Sequence, residues 1–193
     1  MTINNLLTKA ATDLVEAITL GLGQANLLRQ TGQWLAQSLT DGHAIFLCGN
    51  GGSAAEAQHL AAELVGRFGM ERPALPAQAL STDTSILTAL GNDYGFEEVF
   101  ARQVQAYGRP GDVLWGLSTS GRSPNVLKAF AMARRKGLKT LFMCGHEVVD
   151  PEVADVIIPA QVVATPRIQE IHLFFGHLLC QMVEELIFKG PGA

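Results

Sequence analysis

Four short stretches of the 193-residue chain hold polar side chains at spacings that suit chemistry. In GNGGS, Gly49 to Ser53, three glycines let the backbone approach a ligand and take up positive φ. A helical pattern follows, so the first N–H groups of a helix would face whatever the loop holds. The Gly-Lys-Ser/Thr ending of a Walker A loop and the spacing of a dinucleotide fingerprint are both missing, which excludes those nucleotide readings. A tight turn with Ser53 as helix cap is the competing explanation. In STSGRS, Ser118 to Ser123, four hydroxyls (Ser118, Thr119, Ser120 and Ser123) precede Pro124, which suits a first helical turn. Hydroxyls beside a helix N-terminus can surround a phosphate monoester without a lysine, although any one of them can instead serve only as a cap. Arg122 either helps there or faces solvent.

His59 and Glu63, in HLAAE, stand at i and i+4 and share one helix face next to the first loop. They suit proton transfer or metal binding, or form an ordinary surface hydrogen bond. The sequence is not the two-histidine HExxH of zinc proteases. Near the C-terminus Gln169, His172 and His177 lie inside a strongly apolar stretch, where polar groups are costly without partners. Three such groups predict a shared polar pocket.

The elements that must carry these residues can be read from periodicity. Apolar residues recur at three and four from Asn4 to Leu39, predicting two helices joined near Gly21 to Gly23. AIFLCG, PAQAL, DVLWGLS, KTLFMCG and ADVIIPA read as buried strands. Helical patterns separate them: Ser53 to Gly66, Thr84 to Tyr107 with a break at Gly91 to Gly95, Ser123 to Lys136, and a last helix from about Pro166 to Phe188. Strand alternating with helix predicts an α/β domain whose mostly parallel sheet is covered on both faces, with ligands at the carboxyl ends of the strands. One domain over 1–193 is expected, its first 41 residues packing on the domain or on a neighbouring subunit.

Composition narrows the function classes. With 48% hydrophobic residues, 17% charged residues and a formal net charge of -4, the chain lacks the electrostatic footprint of a nucleic-acid binder. Three cysteines in apolar surroundings suit buried thiols in a reducing compartment rather than a disulfide framework. The N-terminus does not resemble a signal peptide, and no apolar run is judged long enough to span a bilayer. A cytoplasmic protein without membrane or nucleic-acid partners is expected.

The order GNGGS, HxxxE, GND, STSGxS and RIQExH with a later histidine resembles the phosphoheptose isomerases of the SIS (sugar isomerase) superfamily, and the likeness covers nearly the whole chain. It implies a flavodoxin-like three-layer sandwich, a homotetramer, and conversion of sedoheptulose 7-phosphate to D-glycero-D-manno-heptose 7-phosphate for bacterial lipopolysaccharide. By that resemblance Asn50, Gly51, Gly52, Glu63, Asn92, Asp93, Ser118, Thr119, Ser120, Ser123 and Gln169 bind substrate. His59, Glu63, Gln169 and His177 would hold one zinc ion per site, a nitrogen and oxygen donor set that zinc tolerates. Some relatives have an acidic residue shortly before the arginine of RIQE, where this chain has Thr165 and Pro166, and the segment between Gly145 and Ala154 is shorter than in some relatives.

Aldose–ketose isomerisation moves a proton between neighbouring carbons through an enediol, which needs a base and an acid partner. Glu63 and His177 are assigned those roles. The alternative function is a non-catalytic SIS adaptor that binds the replication initiator DnaA; retention of both Glu63 and His177 favours the enzyme. A SIS transcriptional regulator would need a DNA-binding module that the first forty residues do not provide. Gln169 and His177 are separated by about 12 Å of rise and roughly 80° of rotation along one helix. If both serve one metal ion, two copies of the last helix from different chains are expected to meet around His59 and Glu63.

Overall fold

The apolar runs form five strands: β1 (Ile45–Cys48), β2 (Ala77–Ala79), β3 (Val113–Ser118), β4 (Lys139–Cys144) and β5 (Val156–Pro159). The computed structural model describes residues 2–147 and 150–189. All strand pairs are parallel, in the order β2-β1-β3-β4-β5. The seven α-helices in the described residues are α1 (Ile3–Gly21), α2 (Ala25–Thr40), α3 (Gly52–Val65), α4 (Thr84–Asp93), α5 (Val99–Tyr107), α6 (Pro124–Arg135) and α7 (Thr165–Phe188). Short 3₁₀ turns occupy Leu22–Gln24 and Phe96–Glu98. The expected helix break thus falls just after α4, where Gly95 takes φ 90°, and Gly91 stays inside the helix.

Strand residues alternate between two cores, as a two-residue period requires. Ile45, Leu47, Trp115, Leu141 and Met143 face a layer built from α1, α2, α3 and α7. Phe46, Cys48, Leu114, Phe142 and Cys144 face α5 and α6. The result is the expected three-layer α/β sandwich with the flavodoxin-type strand order. All three cysteines are free and buried.

The strand order reverses at β1 and β3, the switch point where such folds leave a crevice. Cys48 pairs with Gly116, so both strands end at the same rim, one leading into GNGGS and the other into STSGRS. The helix after β1 packs on one face of the sheet and the helix after β3 on the other.

α7 has the length and apolar composition of a bilayer-spanning helix, contrary to the expectation that no run reaches that mark. Its hydrophobicity belongs to the core: Ile168, Ile171, Phe175, Leu179 and Val183 are buried against the sheet and helix layer. α7 lies alongside α3 in the same direction, with Gln169 near Gly52 and Gly176 near Leu60. A Cβ at Gly176 would come within 2.6 Å of Leu60 Cδ2, so the absence of a side chain lets the two helices close up within one chain.

Candidate active site

The loop after β1 turns into α3 through Gly51, at φ 55° and ψ -121°, a conformation suited to glycine. Gly51 is the cap position, and no side chain caps the helix. Ser53 lies inside the first turn, so the cap explanation of this loop does not hold. Asn50 exchanges two side-chain amide hydrogen bonds with Asn125 at the start of α6, of 2.9 and 2.8 Å, which ties the two loops together. Asn125 was not among the expected site residues, although a polar group on the buried face of α6 beside Val126, Ala129 and Phe130 marks it.

In the second loop the Ser118 hydroxyl lies 2.9 Å from that of Ser123 and 3.4 Å from that of Ser120. Ser123 occupies the cap position of α6 without making a capping hydrogen bond, so its hydroxyl is turned into the loop instead. Thr119 does not join this hydroxyl group; it borders a neighbouring cavity with Arg122 and His146. Arg122 pairs with Glu147 at 2.8 Å, both largely exposed, which answers the question about its role in favour of the surface. Asn92 and Asp93 sit at the exposed end of α4, where the Asn92 amide donates to Asp93 at 2.7 Å.

The third group forms where α3 and α7 run side by side. His59 Nε2 lies 2.8 Å from His177 Nε2 and 3.3 Å from a Glu63 carboxylate oxygen. One donor atom from each of the three residues falls within 4.8 Å of the others, an arrangement that can hold a metal ion. Phe68 covers the His177 ring, with centroids 5.6 Å apart. Burial, and then the neighbouring His59, push the His177 imidazole below the ordinary histidine range, against the opposing pull of Glu63. His177 is therefore a neutral imidazole near pH 7, able to accept or donate a proton at Nε2.

This geometry corrects two expectations. Glu63 and His177 meet within one chain, because α3 and α7 are parallel neighbours, so this pair needs no second copy of the last helix and the two-copy expectation bears on Gln169 alone. The shared pocket of Gln169, His172 and His177 also separates into three environments, since the residues leave the helix at different heights and angles. Gln169 contacts Gly52 at the start of α3. His172 is fully buried and donates from Nε2 to the Cys144 carbonyl at 3.0 Å.

The bare Nδ1 of His172 faces Glu56 Oε2 at 3.9 Å, and neither atom has a hydrogen-bond partner among the described residues. Glu56 escaped the sequence reading, although it falls in the buried row Ser53, Glu56, Ala57, Leu60 of α3. Burial raises Glu56 to about 7, opposed by a hydrogen bond from Ser53, and lowers His172 to about 4, opposed by the Cys144 carbonyl. From the ordinary 4.5 up to about 7 the folded chain keeps the Glu56 proton that the unfolded chain has lost, so that group makes stability fall as pH rises. From about 4 up to 6.5 the unfolded chain binds the His172 proton that the folded chain refuses, so that group makes stability rise. Glu56→Gln should remove the first slope and leave Tm climbing more steeply with pH between 4.5 and 6.5 than in the parent protein. Thermal melts across that range decide it, and identical slopes would mean that Glu56 does not titrate there.

The SIS domain family model matches residues 8–145. A phosphoheptose isomerase of Nitratidesulfovibrio vulgaris is 56% identical over 156 residues, covering 80% of this chain and 75% of the relative. That of Akkermansia muciniphila is 51% identical over 164 residues, covering 84% and 87%. Among solved structures, phosphoheptose isomerase from Neisseria gonorrhoeae superposes with a TM-score of 0.88 at 37% identity, covering 95% of this chain and all of that one. The Francisella tularensis enzyme gives 0.90 at 31% identity, covering 96% and 100%. These relatives carry isomerase names, and the adaptor alternative finds no support among them. With its parallel sheet, its two tied loops and the His59–Glu63–His177 group already in place, the chain belongs to the SIS-domain phosphoheptose isomerase family.

Proposed function

We propose that the protein isomerises sedoheptulose 7-phosphate to D-glycero-D-manno-heptose 7-phosphate. The observation that carries this reading is the meeting of a carboxylate and a neutral imidazole, Glu63 and His177, on helices that flank the switch-point crevice. Glu63 takes the proton from the ketose carbon C1 and returns it at C2, while His177 gives a proton to the oxygen on C2 as the enediol forms and takes one from the oxygen on C1 as it collapses to the aldose. The hydroxyls of Ser118, Ser120 and Ser123, with the N-terminus of α6, hold the phosphate, and Asn50, Gly51 and Gly52 border the sugar. From Ser53 to His59 the helix rises about 9 Å, so the phosphate end and the reacting end of a seven-carbon chain are held apart by α3 itself.

Two imidazole nitrogens and a carboxylate oxygen are a donor set that zinc accepts with a position left open. Zinc at that place would supply Lewis acidity to the oxygens of the reacting carbons. Gln169 of the same chain stands about 12 Å of helix rise from His177, so a four-ligand set would draw its glutamine from a second copy. Exposed apolar side chains on α1, including Ile3, Leu7 and Val15, support assembly, for which we propose the homotetramer.

The test is incubation of the purified protein with sedoheptulose 7-phosphate, with and without added zinc, while following formation of the aldose phosphate. Turnover is expected, and its absence in both arms would overturn the reading. Elemental analysis should find metal bound to the parent protein and much less bound to a His59→Ala variant.

A further inference from the structure

Glu63 lies in the last turn of α3, where backbone carbonyls run out of helical partners. Arg72, eight residues beyond that helix's Leu64, folds back and satisfies them. Its Nη2 donates to the Glu63 carbonyl at 2.8 Å, and its Nη1 donates to the Leu64 carbonyl at 2.8 Å. A guanidinium at this end also complements the helix dipole. Its Nε donates to Glu184 of α7 at 2.9 Å, and the two side chains are only 1% and 3% exposed.

Glu184 completes the arrangement from the other helix. Its carboxylate accepts backbone N–H bonds from Phe68 at 3.0 Å and from Gly69 and Met70 at 2.8 Å each. Phe68 is the residue whose ring lies on His177. Seven residues separate His177 from Glu184, two helical turns, so both project from the same face of α7. The ion pair thus grips Glu63 by its own carbonyl and His177 through the loop that carries Phe68.

We propose that the Arg72–Glu184 ion pair is a positioning device that sets the separation of Glu63 and His177 for proton transfer. The inference rests on the isomerase reading above. A buried ion pair is a poor stabiliser compared with apolar residues of equal volume, but its fixed fork and many hydrogen bonds define geometry sharply. Proton transfer is sensitive to that geometry, and a displacement of about 1 Å can cost on the order of a hundredfold in rate.

The experiment compares Arg72→Lys and Glu184→Gln with the parent protein, below the melting temperature of each as established by circular dichroism. Both variants should lose about tenfold to a hundredfold in kcat, with KM for sedoheptulose 7-phosphate changed by less than about twofold because the phosphate loop is untouched. In a Glu63→Gln background the loss should not multiply. An unchanged kcat per folded molecule, a change confined to KM, or a fully multiplicative loss in that background would each overturn the proposal. Phe68→Ala removes the ring from His177 while sparing the ion pair, and should lower kcat even if the buried variants fail to fold; an unchanged kcat there also counts against it. The His177 imidazole resonance, assigned by its disappearance in His177→Ala, should shift in all three variants whether or not the protein turns over this sugar. That resonance separates failure of the positioning role from failure of the isomerase reading: a static resonance overturns the former alone.

Discussion

Glu63→Gln is expected to lower the isomerisation rate by about two to four orders of magnitude, the usual contribution of a positioned general base. Glutamine preserves the shape of the side chain but cannot accept a carbon-bound proton. Fold should survive, because Glu63 is partly exposed and its only ion-pair partner among the described residues is His59, 3.3 Å away in the preceding turn. Surface changes of this kind usually alter stability by less than about 0.5 kcal/mol. The same substitution also removes a candidate metal ligand, so metal content must be measured beside the rate. A variant that keeps its metal and loses turnover assigns the loss to the base; a near-parental rate removes Glu63 from that role. His177→Ala should be similarly impaired, and mixed oligomers of the two variants should stay inactive. Each protomer would carry one defect in a pair that a single chain must supply, as the 2.8 Å contact of His177 with His59 on the same helix as Glu63 requires. Recovery in the hybrids would mean that the pair is shared between chains.

That hybrid experiment also marks the boundary between what the sequence conveys and what it cannot. The strands AIFLCG, DVLWGLS and KTLFMCG were legible because a run buried on both faces stays apolar without alternation, and all three lie in the sheet where they were expected. The HLAAE face was legible because spacing along one helix is fixed by its geometry. The partner of that face was not. Rotation along α7 separates Gln169 from His177 correctly, but it is silent on which residues of α3 each will meet. That depends on the parallel alignment of the two helices and on Gly176 letting them close against Leu60. Glu184 and Arg72 were missed for a related reason. One of the two carboxylates in LCQMVEELIF, Glu184, and an arginine in MERPAL become an ion pair only when the chain after α3 turns back onto α7.

Replacing Ser118 and Ser123 together by alanine is expected to weaken sugar-phosphate binding by about two to four orders of magnitude. Each hydroxyl bonded to a charged group contributes about 1.5 to 3 kcal/mol, and two such bonds would be lost. The hydroxyls are available for that purpose. Ser123 makes no cap to α6, and Ser118, only 4% exposed at the end of β3, finds hydroxyl partners in Ser120 and Ser123. Three oxygens gathered beside a helix N-terminus have mutual hydrogen bonds that an anion can replace, with the helix dipole adding to the attraction. Alanine fits both positions and leaves Asn50 and Asn125 joined, so the crevice should keep its shape. Isothermal titration with sedoheptulose 7-phosphate and with dephosphorylated sedoheptulose separates the contributions. If the loop holds the phosphate, affinity for the phosphorylated sugar collapses while that for the free sugar barely moves. Equal losses for the two ligands would place the serines against the sugar hydroxyls instead, and the phosphate would have to be sought elsewhere on the rim.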